Sequence, residues 1–192
     1  MKTEFEATFS CVDHEQLRKK FNDLGASLVQ KEFIQIRSNF NLPTANKNAF
    51  VRVRKENDKI TLTLKVFEDN DSIHRQKEVE LKIDSFEEAI SFLEFTGFKQ
   101  KNFQETKREL WEIDGCQIML DTWPFLDPFI EIESINEENV KKLSQKLGFN
   151  YIHAIFDSVD YQYAKKYNIS RDKVNQTKIL SFNSKNPFIK KN

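Results

Sequence analysis

Four glycines, four prolines and two cysteines are all that the 192 residues contain of these types. Four glycines leave no room for a glycine-rich phosphate loop, and neither G-x-x-x-x-G-K-[ST] nor G-x-G-x-x-G is present. The P-loop and dinucleotide-binding routes to a nucleotide are therefore excluded. Cys11 and Cys116 stand far apart without metal spacing, as do His14, His74 and His153, so reduced thiols and no histidine–cysteine metal site are expected. No run approaches the ~20 apolar residues that span a bilayer, and "MKTEFEATF" carries no apolar signal core. A soluble, cytoplasmic protein without a membrane partner is expected. Net charge is absent too, with Lys+Arg and Asp+Glu both at 30. A nucleic-acid binder would show a basic excess, so no nucleic-acid partner is expected.

What remains is charge in quantity, 31% of residues, and a core resting largely on 18 phenylalanines. The spacing predicts helices over 13–25, 84–97, 136–148 and 157–168. The first three share one plan: a capping residue, apolar residues at helical spacing, then a glycine stop. Strands are predicted over 3–11 and 27–43, as a hairpin over 49–68, over 73–83, as a pair around Asp114-Gly115 in 98–123, and over 128–134. About eight strands joined mostly by short turns imply an antiparallel sheet in an α+β fold. The domain is expected over 1–168, with 169–192 a polar surface tail.

The strands alternate in an unusual way. Glu4 and Glu6 oppose Phe5 and Ala7; Arg52 and Arg54 oppose Val51 and Val53; Thr61, Thr63 and Lys65 oppose Leu62 and Leu64. Glu78, Glu80 and Lys82 oppose Val79 and Leu81, and Glu131 and Glu133 oppose Ile130 and Ile132. Asp121 and Arg108 sit on neighbouring strands. Two architectures fit: an open sheet with its charges in water, or a barrel whose charged face lines a tunnel. Residue choice favours the barrel. Same-sign pairs at i, i+2 concentrate one charge on one face, and two carboxylates about 5 Å apart repel by roughly 3 kcal/mol at an effective dielectric near 20. Carboxylates in such number call for cations, from arginine and lysine or from hard Mg²⁺ or Mn²⁺. The basic groups call for a polyanion. Metal with polyanion points to a triphosphate.

The order of these elements resembles the CYTH family of class IV adenylate cyclases and thiamine triphosphatases, the triphosphate tunnel metalloenzymes. The matching stretches are "EFEAT", "VRVR", "TLTLK", "KEVEL", "KRELW", "MLDTW" and "FIEIES", across residues 4 to about 165. The resemblance implies an eight-stranded antiparallel β-barrel tunnel with a charged lumen, flanked by helices. It implies that Arg52, Arg54, Lys65 and Arg108 bind the triphosphate. Glu4, Glu6, Asp121, Glu131 and Glu133 would hold Mg²⁺ or Mn²⁺. Glu78 and Glu80 would take the catalytic part, binding a second ion or positioning the nucleophile. One departure stands out: Thr8 occupies the place of a family lysine, and Lys65 or Lys82 is expected to lean in for the missing ammonium. The expected activity is metal-dependent turnover of a small triphosphate: a nucleoside triphosphate, thiamine triphosphate or inorganic tripolyphosphate. Hydrolysis is slightly favoured over cyclisation to cyclic AMP and pyrophosphate, and non-catalytic polyphosphate binding is the alternative from another class. The oligomeric state is not fixed by these features, a homodimer being compatible with them.

Overall fold

The computed structural model describes residues 2–3, 5–44, 48–68, 73 and 76–189, with only the backbone of Lys2. Glu4 and His74 lie outside the described residues. The strands are β1 (Lys2–Thr3), β2 (Phe5–Ser10), β3 (Ser27–Asn41), β4 (Ala49–Glu56), β5 (Lys59–Phe67), β6 (Gln76–Ile83), β7 (Lys99–Ile113), β8 (Cys116–Thr122), β9 (Phe129–Ser134) and β10 (Ile179–Leu180). The helices are α1 (His14–Asp23), α2 (Phe86–Phe95), α3 (Glu137–Lys146), α4 (Val159–Tyr167) and α5 (Arg171–Asn175).

The four expected helices form, the first three where their caps placed them. The side chains of Asp13, Ser85 and Asn136 each accept a backbone N–H at the start of α1, α2 and α3. The hairpin turn at Asp114-Gly115 takes positive φ at both residues, 53° and 71°. That is the geometry that lets a two-residue turn follow the twist of its strands.

The sheet runs β1-β6-β5-β4-β3-β7-β8-β9-β2, antiparallel along this whole path. β1 and β2 occupy its two ends, yet a single residue of chain separates them. Thr3 and Phe5 are thus at most about 7 Å apart, and the sheet must curl on itself. Taking β1 and β2 together, β2 to β9 supply the eight strands expected from the sequence. No helix among the described residues is long and apolar enough to cross a membrane.

Period-two alternation then sorts the side chains. Ala7, Phe9, Trp111, Ile118, Leu120, Ile130 and Ile132 point outward and pack under α1 and α3, against Leu17, Phe21, Val140 and Leu143. Phe40, Val51 and Val53 pack under α2, against Phe86 and Leu93. Glu109 is an exception on this outer face. It is buried, and it accepts from Arg18 of α1 at 3.0–3.2 Å and from Trp111 Nε1 at 2.6 Å.

The C-terminal stretch is not the loose surface tail expected from its polarity. Its few apolar residues are spent inward: Val174, Leu180 and Phe188 are buried with Trp123, Phe129 and Tyr163. β10 pairs parallel to β7, placing Ile179 opposite Phe103 and Leu180 opposite Gln104. Tyr163 and Tyr167 donate to the carbonyls of Pro124 and Phe125, both at 2.6 Å. These contacts strap α4, α5 and β10 across one end of the curled sheet. Leu180→Ala should therefore cost about 2–5 kcal/mol, the usual loss for a buried leucine, read from urea unfolding; a surface tail would lose nothing.

Candidate functional site

The inward faces of the strands enclose a cavity of about 930 Å³. Its lining is charged, and the charges are sorted by strand. Arg37 comes from β3, Arg52 and Arg54 from β4, Lys65 from β5, and Lys101 and Arg108 from β7. Glu131 and Glu133 come from β9, Glu6 from β2, and Glu78 and Glu80 from β6. In sheet order, a basic wall over β5, β4, β3 and β7 gives way to an acidic wall over β9 and β2.

Register makes the basic wall a set of rows. Asn102, Asn39, Arg52 and Thr63 are matched across β7, β3, β4 and β5, and the next row holds Gln104, Arg37, Arg54 and Thr61. Arg37 and Arg54 thus face each other directly, an arrangement that repels. Arg37 is 6% exposed and makes no ion pair among the described residues. Its Nη2 donates to Gln35 Oε1 at 2.6 Å and Thr106 Oγ1 at 2.8 Å, and its guanidinium lies 4.7 Å from the Trp123 ring centroid. Burial drives this guanidinium well below its ordinary value, and Arg52, Arg54 and Arg108 add to the shift. Arginine keeps its proton in proteins, so that direction expresses positive charge lacking compensation. The Nε atoms of Arg37 and Arg54 are buried without a hydrogen-bond partner among the described residues.

The other basic residues are partly neutralised. Arg54 lies 3.1 Å from Glu56 and 3.6 Å from Glu80, and Lys65 lies 3.7 Å from Glu78. Burial pushes the Glu80 carboxyl up, but Lys59 and Arg54 outweigh it and hold it below the ordinary range. Glu78 and Glu80, expected to be catalytic, are therefore placed as counter-ions to the basic wall.

Arg108 stands where the two walls meet. It donates to both carboxylate oxygens of Asp121 and, at 2.6 Å, to Glu131. Burial opposes its charge, but Asp121 and Glu131 hold the guanidinium above its ordinary value. Burial and the neighbouring Asp121 push Glu131 up to about 7, against Arg108 and Arg37. Glu6 faces Glu133 directly across β2 and β9, so the acidic wall repeats the like-charge pairing of the basic one.

Two expected contacts fall elsewhere. Lys82 shares the inward parity, opposite Thr61, but it is exposed and does not line the cavity. Among the described residues β1 pairs with β6 at Glu78 and Lys77, and none pairs with the Lys82 end of β6 on that side. Thr8 is buried opposite Glu131, with its backbone bridged to Ile155, and is not in the cavity lining. Three contributors were not among the expected site residues. Arg37 was legible, since Gln35, Arg37 and Asn39 alternate with Ile34, Ile36 and Phe40 in "FIQIRSNF". Trp123 lines the cavity as well as packing against Tyr163. Lys101 breaks the alternation and was hidden by it.

The CYTH domain profile matches residues 4–158. The chain belongs to the CYTH family. Solved structures agree in fold. A protein of Pyrococcus horikoshii OT3 is 24% identical, with TM-score 0.69 over 81% of this chain and 96% of its own. A "putative adenylate cyclase" from Vibrio parahaemolyticus is 13% identical, with TM-score 0.72 over 85% and 98%. A "putative adenylyl cyclase" from Hippeastrum, described as revealing a dominant triphosphatase activity, is 17% identical, with TM-score 0.59 over 87% and 97%. No curated protein matches the sequence. In this CYTH chain α4, α5 and β10 lie beyond the matched span.

Among the described residues no group of three Asp, Glu, His or Cys side chains is gathered to hold a metal ion. The donors nonetheless fit Mg²⁺ or Mn²⁺. Such hard ions use one or two carboxylates and complete their shell with substrate phosphates and water, and the facing pair Glu6 and Glu133 meets that requirement. Asp121 does not, being held on both oxygens by Arg108.

The raised Glu131 carboxyl makes a stability prediction. A folded-state pKa of about 7, above the ordinary 4.5, means that the folded chain binds more protons between those values. Stability contributed by this group is full below pH 4.5 and is lost as pH rises through 7. In chelator and without phosphate, unfolding free energy should fall between pH 5 and pH 8 by up to about 3 kcal/mol from this group. Glu131→Gln should flatten that decline and be the more stable chain at pH 8, measured by urea titration at both pH values.

Proposed function

We propose that the chain is a divalent-metal-dependent enzyme acting on a triphosphate, with hydrolysis favoured over cyclisation. The observation that carries this reading is Arg37: buried, facing Arg54, and without an ion pair among the described residues. A multiply charged anion laid along the rows of Arg37, Arg54, Arg52 and Lys65 relieves that repulsion. Phosphoryl transfer needs little else from a protein than position and charge. On this reading the four basic residues bind and orient the phosphates, and Glu78 and Glu80 hold Lys65 and Arg54 in place. Arg108, locked by Asp121 and Glu131, fixes the wall on which Glu6 and Glu133 would hold the ion. When bound, the ion supplies Lewis-acid polarisation of phosphoryl oxygens. The two neighbours named for cyclase or triphosphatase activity are consistent with either outcome, and α4 and α5 residues lining one end of the lumen favour a small substrate.

One observation favours a second reading, polyphosphate binding without turnover. Arg108 already occupies two carboxylates that the resemblance assigned to metal. One experiment separates the readings: ATP, inorganic tripolyphosphate and thiamine triphosphate are incubated with the protein and Mg²⁺ or Mn²⁺. Orthophosphate release is the expected result; cyclic AMP with pyrophosphate identifies a cyclase, and binding without product the binder. Arg37→Gln should weaken tripolyphosphate binding by about 1.5–3 kcal/mol, roughly ten- to a hundredfold, as expected for a charged hydrogen-bonding group. Calorimetric titration checks it, and an unchanged affinity would remove the basic wall from the site.

A further inference from the structure

Strict alternation on β7 brings Asn102, Gln104, Thr106 and Arg108 to the lumen and should turn Lys101 outward. It does not. On β3, Asn39 pairs with Asn102 and the next residue, Phe40, pairs with Gln100, so Lys101 has no partner of its own. This is a β-bulge, which sets two consecutive side chains against one on the facing strand and re-aims them. Lys101 and Asn102 consequently both line the cavity. Bulges recur beside functional sites for this reason.

The ammonium delivered there shares with Arg37 the lack of an ion pair among the described residues. Arg54, Lys65 and Arg108 each have a carboxylate within 3.7 Å. Lys101 makes no ion pair or hydrogen bond through its ammonium among the described residues. Its one contact of note is the Phe50 ring, 6.0 Å from Nζ to the centroid. Phe50 is directly opposite Lys65, one row beyond Asn39 and Arg52. Rows on a strand are two residues, about 7 Å, apart. Lys101 therefore lies toward the Lys65 end of the basic wall, the end that α4 and α5 cover.

We propose that Lys101 is a phosphate-binding residue, which continues the arginine rows by one position toward the capped end and favours a longer polyanion over a shorter one. The assignment rests on the polyanion reading of the cavity. Burial holds this ammonium below the ordinary lysine range; Asp160 opposes that and Arg171 adds to it. An arriving phosphate would supply the counter-charge that the fold withholds. Asp160 does not supply it, since Arg171 takes Asp160 and Asp157 together, at 2.8–3.0 Å.

Calorimetric titration of the full chain with tripolyphosphate and with pyrophosphate tests this, on the unmutated protein, Lys101→Ala and Lys101→Arg. Lys101→Ala should weaken tripolyphosphate binding about tenfold or more and pyrophosphate binding by less, while Lys101→Arg stays within about threefold, as a charge-assisted contact requires. Reductive methylation followed residue by residue gives a second readout that needs no variant. Tripolyphosphate should slow modification of Lys101 and leave the exposed Lys142 unaffected. Should the unmutated protein bind neither anion, the polyanion reading falls and this assignment with it. Should it bind, with equal affinity in Lys101→Ala, Lys101 alone is wrongly assigned. If Lys101→Ala does not fold, the methylation result decides, and a rate unchanged by tripolyphosphate overturns the proposal.

Discussion

The facing of Arg37 and Arg54 is the constraint around which the rest of the chain is arranged. Two guanidiniums opposed across neighbouring strands repel, and burial strengthens the repulsion by removing water. Glu56 and Glu80 compensate Arg54, but among the described residues no ion pair compensates Arg37. The carboxylates of β6 compensate Arg54 and Lys65 but do not reach Arg37 with an ion pair. Asp121 and Glu131 are committed to Arg108. A fold that keeps such a pair must draw its stability elsewhere, and here it comes from the opposite face of the same strands.

That division follows from the two-residue period. Most of the long strands present Val, Ile, Leu or Phe outward to α1, α2 and α3 and their charge inward, while Val79 and Leu81 of β6 stay exposed. The outer packing needs nothing from the lumen side chains, so these can be chosen for a ligand at little cost to the core. The ion pair between Arg18 and Glu109 shows the same logic reversed. Glu109 falls on the outer face, and helix α1 brings it a partner. Inside the cavity like-charge pairs recur on both walls, as Arg37–Arg54 and Glu6–Glu133.

Much of this was readable beforehand, because alternation is a local property. "VRVR", "TLTLK" and "FIEIES" each declare an inward face without reference to any other strand, and the glycine stops declare the ends of α1, α2 and α3. What was not readable depends on partners. Whether the Lys82 end of β6 pairs with β1 is not contained in the sequence of β6. Lys101 depends on a register shift between β3 and β7. The segment from residue 169 reads as polar because its apolar residues, Ile169, Val174, Leu180 and Phe188, are scattered, and only tertiary contact with Trp123 and Tyr163 gathers them.

The joining of the sheet ends by β1 and β2 also orders events in time. β2 leaves a ribosome well before the strand it pairs with, β9, which ends at Ser134. At ordinary synthesis rates of about 5–20 residues per second, roughly ten seconds pass before that partner exists. During that interval Phe5, Ala7 and Phe9 have only α1 to shelter them, and their strand has open edges of the kind that invite wrong pairing. β3 to β7 can meanwhile assemble in hairpin order, except that β3 must wait for β7 across α2. Closure is thus a late step that joins an early strand to a late one. A nascent chain stalled before Ser134 would carry a formed basic wall with no acidic wall to face it.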